Sequence, residues 1–148
     1  MNFFILGNPR SGTTLLRLML NTHSKIGVPP ECGMILWWHD KYKGWNVNSN
    51  SDETLVSQFT NDILSSKKIE EWNISKEILQ KTFDQKPENY IQVFQFLYQN
   101  YTKKDIVGDK NNYYIRELEN ISKIYSKTKF IHLVRDGRDV ACSYLKIK

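Results

Sequence analysis

Arg10, Ser11, Thr13 and Thr14 fall within five consecutive residues, with Gly7 before them and Gly12 among them, in the stretch ILGNPRSGTTLLRLML from Ile5 to Leu20. A guanidinium and several hydroxyls beside two glycines suit a phosphate or sulfonate ligand. Arg binds such an anion through two parallel N–H bonds, and the hydroxyls add donors. A loop between a buried strand and a helix N-terminus also contributes unpaired backbone N–H groups and the positive end of the helix dipole. Gly7 and Gly12 let the backbone turn tightly and approach the ligand. A plain glycine-containing turn would not call for Arg, Ser and two Thr together.

The spacing Gly7-x4-Gly12-Thr13-Thr14 nearly reproduces a nucleotide-hydrolysing P-loop, with one substitution: Thr13 stands where a lysine serves the β- and γ-phosphates. Thr13 cannot supply that charge. A strand-end Asp for magnesium is also hard to place, because the segment KFIHLVRD ends in Arg135 followed by Asp136. A cationic strand end suits a second phosphate better than a metal. Arg135 leaves the C-terminal end of a strand, where open α/β sheets bind ligands. Ser143 follows eight residues later, near the second turn of the next helix, and can face back toward it. The alternative for this segment alone is a solvated Arg and a helix-surface Ser.

Together the two segments resemble the family of sulfotransferases that use 3′-phosphoadenosine 5′-phosphosulfate (PAPS). The resemblance implies that Arg10, Ser11, Gly12, Thr13 and Thr14 bind the 5′-phosphosulfate. It assigns Arg135 and Ser143, in VRDGRDVACSY, to the 3′-phosphate. It extends to GDKNNYY (Gly108–Tyr114) and GVPPE (Gly27–Glu31), and is vague between about Cys32 and Lys104. It implies PAPS as donor, adenosine 3′,5′-bisphosphate as product, a hydroxyl-bearing acceptor as partner and no required metal. Arg10 stands where the cytosolic branch has Lys, which points to the Golgi-type and bacterial branches. Catalytic roles follow for Arg10 and for Glu31, the latter as general base. A third falls to Lys110, at the sulfonate or the leaving oxygen. The alternatives are a helix N-terminal charge for Glu31, after Pro29–Pro30, and a surface lysine paired with Asp109 for Lys110. Asp109 and Asp139 read as structural. Two rivals stay open: a small ATP-dependent kinase, and a nucleotide-binding domain that is catalytically incomplete.

The elements that must position these residues follow a βα rhythm. Apolar runs at Asn2–Leu6, Asp105–Val107 and Lys129–Val134 read as buried parallel strands, and His132 within the last reads as a core histidine. Helices are expected at Thr13–Asn21, Asp52–Ser65 (capped by Asp52), Ser75–Phe83, Pro87–Tyr101, Tyr113–Tyr125 and Asp136–Lys146. Trp37–Asp52 reads as a polar loop whose exposed Trp37, Trp38 and Trp45 are candidates for an acceptor groove. The expected fold is α/β, a three-layer α/β/α arrangement with a central parallel sheet, P-loop NTPase-like. The 148 residues fit a single domain, 1–148. The chain stops within the helix after the third strand, so it is expected to be the N-terminal portion of the family domain, incomplete at its C-terminus.

Composition narrows the partners. The net charge of +5 and pI near 9.1 suit an anionic ligand, but the lysines are scattered, which argues against nucleic acid. Cys32 and Cys142 lie far apart, without the spacing of a zinc site or a disulfide framework. No stretch has the length of a membrane span or the layout of a signal peptide, so the expectation is a soluble, cytoplasmic protein with no membrane segment.

Overall fold

The computed structural model describes residues 1–45 and 52–146. In chain order the elements are β1 (Phe3–Gly7), α1 (Thr13–Asn21), β2 (Ile26–Gly27), α2 (Met34–Trp37), α3 (His39–Tyr42) and α4 (Asp52–Ser65). A 3₁₀ segment (Lys67–Trp72), α5 (Lys76–Asp84), α6 (Tyr90–Thr102), β3 (Ile106–Lys110) and a second 3₁₀ segment (Asn112–Arg116) follow. The last elements are α7 (Leu118–Ile124), β4 (Lys129–Leu133) and α8 (Gly137–Leu145). The strands form one parallel sheet in the order β2-β3-β1-β4. Parallel neighbours need crossovers, and the intervening helices supply them.

Side-chain alternation along β1 sets the layers, because successive residues point to opposite faces of a sheet. Phe4 and Leu6 enter the main core, where Tyr90, Phe94 and Tyr98 of α6 meet Phe59 of α4 and Trp72. Phe3 and Ile5 join Val28 on the other face, under Leu16 and Leu20 of α1. Helices therefore cover both faces, as the three-layer expectation requires. Much of the main core is aromatic, with edge-on pairs such as Tyr90–Phe94 and Phe59–Phe94.

Several boundaries differ from the sequence expectation for identifiable reasons. The helix expected from Pro87 begins at Tyr90, because the Asn89 side chain accepts from the Gln92 amide and caps it there. The helix expected over Tyr113–Tyr125 is broken. Asn111 caps a 3₁₀ turn that buries Tyr114, and α7 restarts at Leu118. Ser75 and Asp136 cap α5 and α8 through their side chains. The two-residue β2 was not anticipated; it is too short to carry a pattern.

Three expectations about burial are corrected. The strand Lys129–Leu133 is largely exposed, since β1 is its one sheet neighbour among the described residues and α8 buries no residue. His132 is accordingly exposed and not a core histidine. The stretch from Trp37 expected as a polar loop instead carries α3, and Tyr42 and Trp45 are 1% and 3% exposed and pack on Phe59, which takes Trp45 out of an acceptor groove. The rest of that expected loop, 46–51, and the side chain of Asp52 lie outside the described residues. Cys32 is buried and Cys142 exposed, and neither forms a disulfide. Among the described residues no helix is long and apolar enough to cross a membrane.

The turn from β1 into α1 has no slack. A Cβ on Gly7 would stand 2.8 Å from Thr13 Cγ2 and 3.0 Å from the Leu133 carbonyl oxygen. Gly7→Ala is expected to cost about 1–3 kcal/mol as an overpacked substitution, read as a lowered midpoint in urea unfolding. An unchanged midpoint would show that β4 can yield at this point.

Candidate active site

The loop after β1 is built around two left-handed backbone positions, Arg10 at φ 70° and Gly12 at φ 96°. Glycine adopts that region freely, whereas for Arg10 it is strained, and such strain concentrates at functional sites. Gly12 is the N-cap of α1 and no side chain caps the helix, so its first-turn amides remain available to an anion. Pro9, Arg10, Gly12, Thr13 and Thr14 line a cleft of about 420 Å³, together with Glu31, Lys110, Asn112, Arg135 and Ser143. The topology thus gathers the loop after β1, the end of β3, the end of β4 and α8 around one space.

Two sequence motifs far apart in the chain meet here. Arg10 Nε donates to Ser143 Oγ at 2.9 Å, and Arg135 Nη1 donates to the Arg10 carbonyl at 3.1 Å. Asp139, on the first turn of α8, has Oδ2 3.9 Å from Arg135 Nε, an exposed ion pair, and the cap of that helix is Asp136. Asp136, the nearest acid to the strand end, caps α8 and binds the Arg138 guanidinium through both oxygens.

Not every residue of the loop has the expected part. Ser11 does not line the cleft, and its amide donates to the Asn8 carbonyl at 3.1 Å. The Thr13 side chain is buried and its hydroxyl donates to Asn112 Oδ1 at 3.0 Å, so Thr13 links α1 to the segment after β3. Thr14 is exposed and lines the cleft. Sequence reasoning missed Asn112. Its signal was the run GDKNNYY, in which nothing local distinguishes Asn112 from Asn111.

Glu31 and Lys110, separated by most of the chain, form an ion pair between Glu31 Oε2 and Lys110 Nζ. Lys110 is 2% exposed and Glu31 42% exposed at the side chain, so the pair spans the boundary between core and cleft. The surface alternative for Lys110 is thereby corrected: it is buried, and its partner is Glu31, not Asp109. Removing one member of such a pair leaves an uncompensated buried charge.

The backbone around Glu31 is held on both sides. Before it, the Asn21 side chain makes two hydrogen bonds to Val28, donating to its carbonyl at 2.8 Å and accepting from its amide at 2.7 Å. After it, the Cys32 carbonyl accepts from Tyr114 Oη and Asn111 Nδ2, each at 3.2 Å. Tyr114 is positioned in turn by Asp109, whose Oδ2 accepts from Tyr114 Oη at 2.5 Å and from Tyr98 Oη at 3.0 Å. Asp109 Oδ1 also accepts from the Lys110 amide at 2.7 Å. Asp109, expected to orient Lys110, accepts from the Lys110 amide and also holds Tyr114, which bonds the Cys32 carbonyl beside Glu31. Complete burial pushes its carboxyl up to about 6, against the three hydrogen bonds that pull it down, with the nearby Glu31 charge adding to the rise.

The profile of a family described as "Sulfotransferase family" matches residues 2–147. No curated protein matches the chain significantly.

The Asp109 site carries a pH signature. An unfolded Asp titrates near 3.9, whereas folded Asp109 titrates near 6. Between those values the folded state binds more protons, so this group's contribution to stability is lost as pH rises through the window. Asp109→Asn is expected to remove that slope. The difference in urea midpoint between the wild type and the variant should change from about pH 4 to about pH 6.5 and level off above. A pH-independent difference would overturn the assignment.

Proposed function

The chain belongs to the sulfotransferase family, and on that premise we propose that it transfers a sulfuryl group from PAPS to a hydroxyl acceptor by in-line attack. The observation that carries this reading is the meeting of Arg10, Arg135 and Ser143 in one cleft with the phosphate loop and Glu31. Such a cleft fits a ligand with two anionic groups better than one with a single anion. Its lining carries three cations, Arg10, Lys110 and Arg135, against the one carboxylate of Glu31.

Arg10 and the first-turn amides of α1 bind the 5′ end, with Gly12 and Thr14 shaping the approach. Ser11 and Thr13 serve that loop from behind, through its turn and through Asn112. Arg135 and Ser143 take the 3′-phosphate, and Arg10 exchanges its contact with Ser143 for the ligand. PAPS supplies an electrophilic sulfur and a phosphate leaving group. The acceptor oxygen forms the new O–S bond as the bridging S–O bond breaks, and the acceptor proton passes to Glu31. Protonation of Glu31 discharges its pair with Lys110. The lysine's positive charge is then uncompensated at the moment negative charge grows on the leaving oxygen. The protein's contribution is positioning and electrostatic stabilisation.

Calorimetric titration with adenosine 3′,5′-bisphosphate is expected to show binding, weakened about 10–100-fold in Arg135→Ala by loss of a charged hydrogen bond. Binding of Mg-ATP alone would instead favour a kinase and overturn the donor assignment. Glu31→Gln should keep bisphosphate binding and lower turnover by about 10²–10⁴-fold. Full turnover in that variant would remove Glu31 from the role of base.

A further inference from the structure

The donor cleft does not end at Glu31. Glu31 also lines a smaller cavity with Cys32, Trp37, Asn111 and Tyr113. Trp37 and Tyr113 in turn line a third, of about 500 Å³, which reaches Asp40, Glu117, Asn120 and Lys123. Through these shared lining residues the three cavities neighbour one another: the arginine-lined cleft, the Glu31 carboxylate, an aromatic throat and a polar basin. We propose that the throat and basin form the acceptor subsite, and that the acceptor is an uncharged, polyhydroxylated ring, the hydroxyl of a neutral sugar. The proposal rests on the sulfuryl-transfer reading above for the identity of the donor end.

The throat is built to present an aromatic surface. The Trp37 indole lies so close over Gly33 that any Cβ there would overlap its ring atoms Cε2, Cζ2 and Nε1. Gly33 has an ordinary negative φ of −109°, so its lack of a side chain serves the indole and not the backbone. Trp37 nevertheless stays 45% exposed and Tyr113 52% exposed. Two large aromatic residues held open beside a carboxylate offer a flat apolar contact to a ring at little entropic cost.

The basin selects against charge. Lys123 is paired with Glu119 at 2.7 Å, and Asp40 with Lys43 at 2.6 Å. Among the described residues Glu117 has no ion-pair partner: it accepts from Asn120 Nδ2 at 2.6 Å and is hydrogen-bonded by the Tyr113 hydroxyl. A carboxylated or sulfated acceptor would bring its charge against Glu117. A phenol or an alkyl chain would fill the throat and leave the carboxylates and Asn120 facing an apolar group. A sugar ring matches both parts, with a C–H face for Trp37 and Tyr113 and hydroxyl donors for Glu117 and Asp40.

The test uses the whole chain saturated with adenosine 3′,5′-bisphosphate. Saturation-transfer NMR would be run with neutral hexose and N-acetylhexosamine mono- and oligosaccharides, a carboxylated oligosaccharide and a tyrosine-containing peptide. Neutral saccharides are expected to bind, and Trp37→Ala to weaken them at least about 10-fold with bisphosphate affinity unchanged. Gly33→Ala, which keeps the indole but removes its seat, should weaken them in the same direction. Glu117→Lys should shift preference toward the carboxylated oligosaccharide. Tighter binding of the peptide or the anionic saccharide to the wild type would overturn the proposed class. Neutral-saccharide binding indifferent to Trp37→Ala and Glu117→Lys would overturn the subsite, as would its absence alongside intact bisphosphate binding. Saccharide binding without bisphosphate binding would leave the subsite standing and defeat the donor reading instead.

Discussion

A carboxylate sealed inside the sheet ties the Glu31 loop to the core. Asp109 lies on β3 at 0% exposure and gathers two tyrosine hydroxyls, one from α6 and one from the 3₁₀ turn that follows β3. Through Tyr114 it reaches the Cys32 carbonyl, and the adjacent Lys110 side chain reaches Glu31. Neighbouring residues on one strand point to opposite faces, so Asp109 can serve the core while Lys110 serves the cleft. An isolated buried charge would be costly; three donors make this one tolerable and convert it into a fixed point for a loop with no regular structure of its own.

The donor end obeys a different constraint. Its contacts are exposed and charged, and they depend on backbone geometry more than on packing. Gly7 brings α1 against β1, and Arg10 accepts a strained conformation that carries its guanidinium to Ser143. Because β4 is parallel to β1 and directly beside it, the two strands end at the same level, and the loops leaving them must meet. That register, Gly7 opposite Leu133, is what brings the two motifs to one cleft.

The polarity along these neighbouring cavities follows. Arg10 and Arg135 cluster where parallel strands end beside a helix N-terminus, and Glu117 stands beyond the throat at the start of α7. Glu31 sits at the junction, 42% exposed, against a lysine that solvent scarcely reaches.

How much of this was legible depended on whether the signal was local. The strand–loop–helix spanning Phe3 to Asn21 and the role of Asp136 in starting α8 are consequences of short-range rules, periodicity and capping, and the amino-acid order determined them unaided. Glu31 and Lys110 could be named as candidates, but their pairing could not be read, because residues 31 and 110 meet through the β2–β3 register. The broken helix at Tyr114 escaped for the same reason: Tyr114 leaves helical geometry to reach Asp109, a contact that no local preference encodes. His132 and Trp45 exchanged their expected places because burial is decided by sheet order and by what covers each strand. Side-chain type selects a chemistry; only the folded arrangement of strands decides which chemistries stand within hydrogen-bonding distance of each other.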